Sequence, residues 1–294
     1  MIPVSQVPRV GIVFRPQLPP ERLRGFVASA EQAGLDDLWL WEDCFLEGGL
    51  TSAAAALAWS SSLRVGLGLM PAPLRNPALA AMEIATLARL FPGRFVPALG
   101  HGVQAWMGQV GARAASPMGL LREWATAVRS LLDGDTVTVA GSYVALDGVA
   151  LDWPPTAAVP VLIGGRGPRT LALAAELADG LVLAAGTSPD TVRRAVAGAA
   201  AGRPQEIVVY LPCGPGPGGA ERIQAELPPS VPLSADLAAV GSPQDVAAAI
   251  RAFAAAGAST VVLQPAGDDP DVAATIVLAG AARAVLRGEG ALPA

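Results

Sequence analysis

Two hydrophobic rhythms alternate along this chain. Short β-branched or apolar runs are followed by longer Ala-, Leu-, Glu- and Arg-rich stretches of helical period, which predicts a parallel sheet with helical crossovers. The first strand is expected at 9–14 and the first helix at 19–33, with Pro20 near its start and Gly34 just past its end. Strands follow at 37–42, 63–69 and 94–100, with helices at 51–60, 76–90 and, after a broken stretch, 117–132. The second half predicts strands at 160–164, 179–184, 206–211 and 260–264, and helices at 168–178, 188–200, 242–256 and 271–286.

Two segments leave this rhythm. Residues 135–147 (DTVTVAGSYVALD) hold two alternating runs around Ala140-Gly141-Ser142, the pattern of a β-hairpin standing outside a parallel sheet. A Pro/Gly-rich excursion, PCGPGPGG, opens a long connection over 212–240 after strand seven. Eight strand–helix pairs over 294 residues average about 37 each, which predicts an α/β fold of the (β/α)8 TIM-barrel kind, one domain over 1–294. An open doubly wound sheet is the alternative, but the first βα turn, Phe14 to Pro19, lacks the glycines that cradle a dinucleotide there. In a barrel, chemistry collects at the C-terminal ends of the strands.

Composition narrows the function. The 20 basic residues are all arginine against 25 acidic ones, a net charge of −5 without a basic run, so a nucleic-acid partner is not expected. A chain without lysine that is rich in Ala, Gly and Pro suggests a G+C-rich genome. Cys44 and Cys213 lie far apart and there is a single histidine, so neither a zinc cage, a disulfide framework nor a His-rich metal centre is expected. The first residues lack a signal-peptide pattern and no apolar stretch is long enough to span a bilayer, so a cytoplasmic protein without a membrane partner is expected.

Candidate chemistry sits at the predicted strand ends. After strand two, Glu42 and Asp43 are adjacent carboxylates, so one points inward and the other to the loop shell; either acts as a proton acceptor or ring-binding group, or they cap a loop and pair with an arginine. In strand three, Gly66 and Gly68 predict a bulge or a close backbone approach to something flat, or simply a tight proline-rich loop. After strand four, His101 lies between Gly100 and Gly102 and reads as an acid/base group or a structural hydrogen-bonder. After strand five, Gly164-Gly165-Arg166-Gly167-Pro168-Arg169 runs straight into a helix. Its glycines, helix N-terminus and two arginines predict a phosphate site. Arg75, Trp106, Tyr143, Trp153 and Cys213 are weaker candidates.

The order of these pieces resembles the luciferase-like flavin- and deazaflavin-dependent oxidoreductases. The resemblance rests on GLDDLWLWEDCF, RNPALAAMEIATLARLFPGRFVPALGHG, IGGRGPRTLALAAELADG and GSPQDVAAAIRAFAAAGASTVVL, in that order and spacing across nearly the whole chain. It implies a coenzyme F420 or FMN across the barrel mouth, its phosphate on the amides of Gly164, Gly165 and Gly167, and a non-proline cis peptide near Gly68-Leu69 with Met70 beside it. It further implies hydride transfer or monooxygenation of a small organic substrate, a homodimer and, for some members, a separate flavin or F420 reductase. A non-catalytic ligand-binding barrel is the rival. The chain departs from the family where deazaflavin dehydrogenases carry Asp-His-Phe and luciferase-like members Glu-His-His-Phe: here Glu42-Asp43-Cys44-Phe45 stands. Val103 and Gln104 stand where sugar-phosphate members carry an acid. Asp43 and His101 are therefore nominated as the acid/base group with Cys44 beside the ring, and Glu42, Gly68, Leu69, Met70, Gly100, Gly164, Gly165, Arg166, Gly167 and Arg169 as cofactor-binding. The substrate pocket is expected from 44–50, 103–116 and 212–240.

Overall fold

A computed structural model describes residues 7–165, 167–198, 205–216, 218–227, 232–234, 236–266 and 271–289. Strands β1 (Arg9–Val13), β2 (Asp37–Leu40), β3 (Arg64–Pro71) and β4 (Phe95–Gly100) alternate with helices α1 (Leu23–Gln32), α2 (Gly49–Trp59) and α3 (Pro77–Leu90). A short α4 (Gln104–Gln109) and α5 (Pro117–Leu132) lead to the hairpin strands β5 (Val137–Ala140) and β6 (Ala145–Val149). Then come β7 (Leu162–Gly164), α6 (Pro168–Leu177), β8 (Gly180–Leu183), α7 (Pro189–Gly198) and β9 (Glu206–Gly214). Helix α8 (Gly219–Glu226), β10 (Ala239–Val240), α9 (Pro243–Ala255), β11 (Thr260–Pro265) and α10 (Val272–Arg287) complete the chain.

Strands β1, β2, β3, β4, β7, β8, β9 and β11 pair in that order, and β11 returns to β1. Each contact in this ring is parallel, so the sheet closes as a (β/α)8 barrel. The hairpin pairs antiparallel and separately, as its alternating pattern predicts. Two departures concern the excursion. Strand β9 runs on through Pro212, Cys213 and Gly214, paired with β11 as far as Cys213, and the segment beyond carries α8 and the short β10, which extends β9 on its outer side. The pairing with β11 explains why prolines are tolerated there: Pro212 and Pro265 sit where the ladder is ending.

The unbroken apolar runs have a direct explanation. In β2, Leu38 and Leu40 face the helices while Trp39 faces inward; in β9, Ile207, Val209 and Leu211 face out while Val208 and Tyr210 face in. Val13, Val96, Ala98, Leu162, Val182 and Val262 complete the inner core. Both faces are buried, so polarity cannot alternate.

The strand starts meet in an ionic plug at the N-terminal end of the cylinder. Arg9 Nε donates to Asp37 Oδ1 at 2.7 Å, and Arg64 Nη2 donates to Asp37 Oδ2 at 2.7 Å and Glu206 Oε1 at 2.5 Å. Asp37 is fully buried. Burial disfavours the Arg64 guanidinium charge, but Asp37 and Glu206 outweigh it and the net pull on its pKa is upward. Helix starts are fastened locally: Asn76 caps α3, Ser116 caps α5, and Ser242 and Asp245 form a reciprocal capping box on α9.

Candidate active site

A cavity of about 550 Å³ opens at the opposite, C-terminal end of the barrel. Seven of the eight barrel strands reach it. Trp41, Glu42 and Asp43 come from the end of β2, Gly68, Leu69 and Pro71 from β3, and His101 to Val103 from the end of β4, with Trp106 from α4. Gly164 and Gly165 follow from β7, Val182, Ala184 and Ala185 from β8, Tyr210 from β9 and Gln264 from β11. Its volume lies within the roughly 300–1,000 Å³ of small-molecule sites.

The floor is set by the glycines of β3. Register slips between Gly68 and Met70 against β4, and the Gly68-Leu69 peptide is cis. A methyl group on Gly66 would overlap the Trp39 indole, and one on Gly68 would stand 2.5 Å from the Tyr210 hydroxyl oxygen. The flat object these glycines admit is therefore the chain's own Trp39. Leu69 then drops its side chain toward two further glycines: a methyl on Gly100 or Gly164 would meet Leu69 Cδ2 at 2.5 or 2.6 Å. Gly100, proposed from sequence as cofactor-binding, is a buried seat for Leu69 and lies outside the cavity wall; Met70 is likewise corrected, being fully buried among helix-facing core residues.

Aromatic rings form one wall. Tyr210 donates its hydroxyl to the Gly68 carbonyl at 2.8 Å, which ties β9 to the bulge across the barrel. Burial raises the Tyr210 pKa well above that of a free phenol, so the hydroxyl stays protonated and keeps donating. Trp41 packs on Tyr210 with ring centroids 5.8 Å apart, and its indole Nε1 donates to Asp43 Oδ2 at 2.9 Å.

The two carboxylates divide their work. Glu42 accepts from Arg75 at 2.6 and 2.7 Å through both oxygens and from the Gly49 amide at 3.0 Å. Hydrogen bonding to Glu42 raises the Arg75 pKa against the cost of burial, with Glu83 at 3.4 Å adding to it. Both oxygens of Glu42 are thus engaged in fastening α2 and the β3–α3 connection, and its proposed role as a cofactor ligand gives way to a structural one. Asp43 orients Trp41.

His101 Nδ1 lies 2.8 Å from the Gly102 carbonyl oxygen. A carbonyl only accepts, so Nδ1 is the donor in this contact and acid/base chemistry falls to Nε2. Gln104 Nε2 donates to the His101 carbonyl at 3.0 Å and steadies the turn. Cys44 does not line the cavity, and burial with the Glu42 and Asp43 charges raises its pKa, so it is a thiol and not an activated nucleophile. The Cys44-Phe45 peptide is also cis.

The glycine-rich turn leads into α6 as expected, but its donors are fewer. The Gly165 amide donates to the Val182 carbonyl at 3.2 Å, so it serves the sheet and not an anion. Gly167 caps α6, and Pro168 at the first helical position brings no N–H. Arg169 is exposed in the first turn; Arg166 lies outside the described residues. Of the loops expected to build the pocket, only 103–116 contributes, through Val103 and Trp106; among the described residues, 44–50 and 212–240 do not. Trp41, Tyr210 and Gln264 were missed. Tyr210 and Gln264 are the polar interruptions of the apolar runs in β9 and β11, the signal that could have found them.

A family profile described as luciferase-like monooxygenase matches residues 8–223. A 5,10-methylenetetrahydromethanopterin reductase of Methanolobus tindarius is 32% identical over 205 residues, 68% of this chain and 62% of the reductase. An F420-dependent glucose-6-phosphate dehydrogenase of Kineococcus radiotolerans is 29% identical over 187 residues, 59% of this chain and 55% of that one. The chain thus spans less than two thirds of either relative. Among solved structures, an F420-dependent secondary alcohol dehydrogenase in complex with an F420–acetone adduct shares the fold at TM-score 0.82 and 22% identity, over 94% of this chain and 99% of that one.

Proposed function

The chain belongs to the luciferase-like monooxygenase family, and from that membership we propose that it is an oxidoreductase using coenzyme F420 to move two electrons to or from a small organic substrate. The cavity carries this reading: it sits where a barrel keeps its chemistry and has an apolar floor, an aromatic wall and one imidazole. Its residues fit a flat ring. Leu69, Val182 and Trp41 offer apolar and aromatic surface, and Gly164 brings bare backbone to the wall. The first turn of α6, with Arg169, would hold the anionic tail. When bound, the coenzyme supplies the two-electron carrier. The chain itself excludes water with Leu69, Val182 and Trp106, and His101 Nε2 holds or delivers the substrate proton. Asp43 positions Trp41 at the same wall.

Coenzyme F420 is preferred to FMN because a sequence relative at 29% identity is F420-dependent. Titration of the purified protein with each compound, followed by absorbance and fluorescence, tests this. Micromolar binding of F420 is expected; binding of neither removes the proposal, and binding of FMN alone changes the coenzyme. His101→Ala should then lower turnover by about 10²–10⁴-fold with coenzyme affinity retained. The proposal extends to a cytoplasmic homodimer, checked by sedimentation. With FMN it would add a separate reductase as partner. No helix among the described residues is long and apolar enough to cross a membrane.

A further inference from the structure

We infer that the substrate of this cavity is uncharged or cationic, with a flat apolar body, and that Asp43 is the residue that turns anions away. The inference rests on the coenzyme reading for the existence of a reaction, and on the cavity alone for the charge. Three groups that can carry charge line the cavity: Glu42, Asp43 and His101. Glu42 is paired with Arg75, which does not line the wall and also reaches Glu83 at 3.4 Å on its other side. Asp43 has no such counterion among the described residues; its hydrogen-bond partner there is the uncharged indole N–H of Trp41. The indole orients the carboxylate but does not cancel its charge.

Among the described residues no arginine lines the cavity. The nearest arginine in chain order to its end of β1, Arg15, is held by Glu226 at 2.9 Å and the Pro265 carbonyl at 3.0 Å. A substrate phosphate or carboxylate entering here therefore finds a like charge and no described cation to receive it. The cavity's polar surface otherwise consists of neutral donors and acceptors such as Gln264. A cation, by contrast, finds the Asp43 carboxylate and two indoles, Trp41 and Trp106, whose faces attract positive charge. The entrance supports an apolar body as well: Val103 lines the cavity while 48% exposed. An unneutralised carboxylate in a partly water-excluded cleft acts on a charge within about 10 Å strongly enough to change affinity by about tenfold or more.

Three probes that share a benzyl ring separate the outcomes: benzyltrimethylammonium, benzyl alcohol and phenylacetate, each titrated against the full-length protein with tryptophan fluorescence as readout. The ammonium and the alcohol should bind, with phenylacetate at least about tenfold weaker than the ammonium. Asp43→Asn keeps an acceptor for the Trp41 indole and should bring the ammonium and phenylacetate affinities to within about threefold of each other. Gln264→Lys, which adds a cation at the end of β11, one strand removed from β2, and leaves Asp43 in place, should strengthen phenylacetate alone. Phenylacetate binding as tightly as the ammonium to the unmodified protein overturns the inference. So does an order unchanged in both variants, or failure of the ammonium and the alcohol to bind. A parallel F420 titration keeps the two readings apart: F420 binding with the wrong charge order sinks this inference alone, and the expected order without F420 binding sinks only the coenzyme.

Discussion

Removing the Arg75 guanidinium, as in Arg75→Met, strands two carboxylates, the buried Glu42 and the more exposed Glu83. In the folded chain Glu42 receives two hydrogen bonds from Arg75, at 2.6 and 2.7 Å, and the two side chains are only 18% and 9% exposed. Breaking a buried pair from one side costs about 3–5 kcal/mol, because the remaining charge keeps its desolvation cost without its counterion. Residual exposure and the surviving bond from the Gly49 amide reduce the expectation to roughly 2–4 kcal/mol. At about 2 °C per kcal/mol for a chain of this size, Tm should fall by roughly 4–8 °C. Urea denaturation followed by circular dichroism measures the loss directly. The double variant Glu42→Gln/Arg75→Met removes the more buried of the two stranded charges and should recover at least about half of the loss. A single variant that loses less than about 1 kcal/mol, or a double variant no better than the single, would refute the assignment of Glu42 to structure and return its carboxylate to the candidate ligands.

Gly66→Ala should cost at least about 2 kcal/mol, since its methyl overlaps the buried Trp39 indole, whereas Gly25→Ala, exposed in α1 with open space around it, should stabilise by about 0.5–1 kcal/mol. Equal effects in a thermal melt would contradict the packing argument. Burial works against the Glu31 charge, but bonds from the amides and hydroxyls of Ser61 and Ser62 outweigh it and hold its pKa at about 2. Its folded value lies below the unfolded one, so this stabilisation is complete above pH 4.5 and is lost as pH falls toward 2. Glu31→Gln should accordingly weaken the fold at pH 7 and match the parent near pH 2; a constant difference across that window would contradict it. Cys44 should react with iodoacetamide more slowly than free cysteine at pH 7.5 and accelerate only above about pH 9, and alkylation at the free-cysteine rate would show that its thiol is not raised.

The barrel was legible because its parallel strands are buried on both faces and flanked by helices with local punctuation. The strand runs, the proline and glycine marks, and the hairpin around Gly141 depend on neighbours in sequence. Features that depend on distant partners were legible only as alternatives. The glycines of β3 announced a close approach, but nothing nearby could say that the visitor is Trp39, from the neighbouring strand. Glu42 and Asp43 announced an acid pair, but Arg75 lies 33 positions away from Glu42 and decides which of the two is neutralised. The family resemblance puts Met70 beside the cis peptide at the ring; the register slip at Gly68 and Met70 instead leaves its side chain in the helix-facing core. Tyr210 stands out in its run as a polar interruption, but only the closed ring sets Val208 and Tyr210 on the inside.

Two layers seal the far end of this cylinder: the inner side chains around Trp39 and Tyr210, and beneath them the salt-bridged stopper of Arg9, Asp37, Arg64 and Glu206. A molecule that enters the cavity at the C-terminal end therefore finds no exit along the barrel axis and must leave by the mouth it came through.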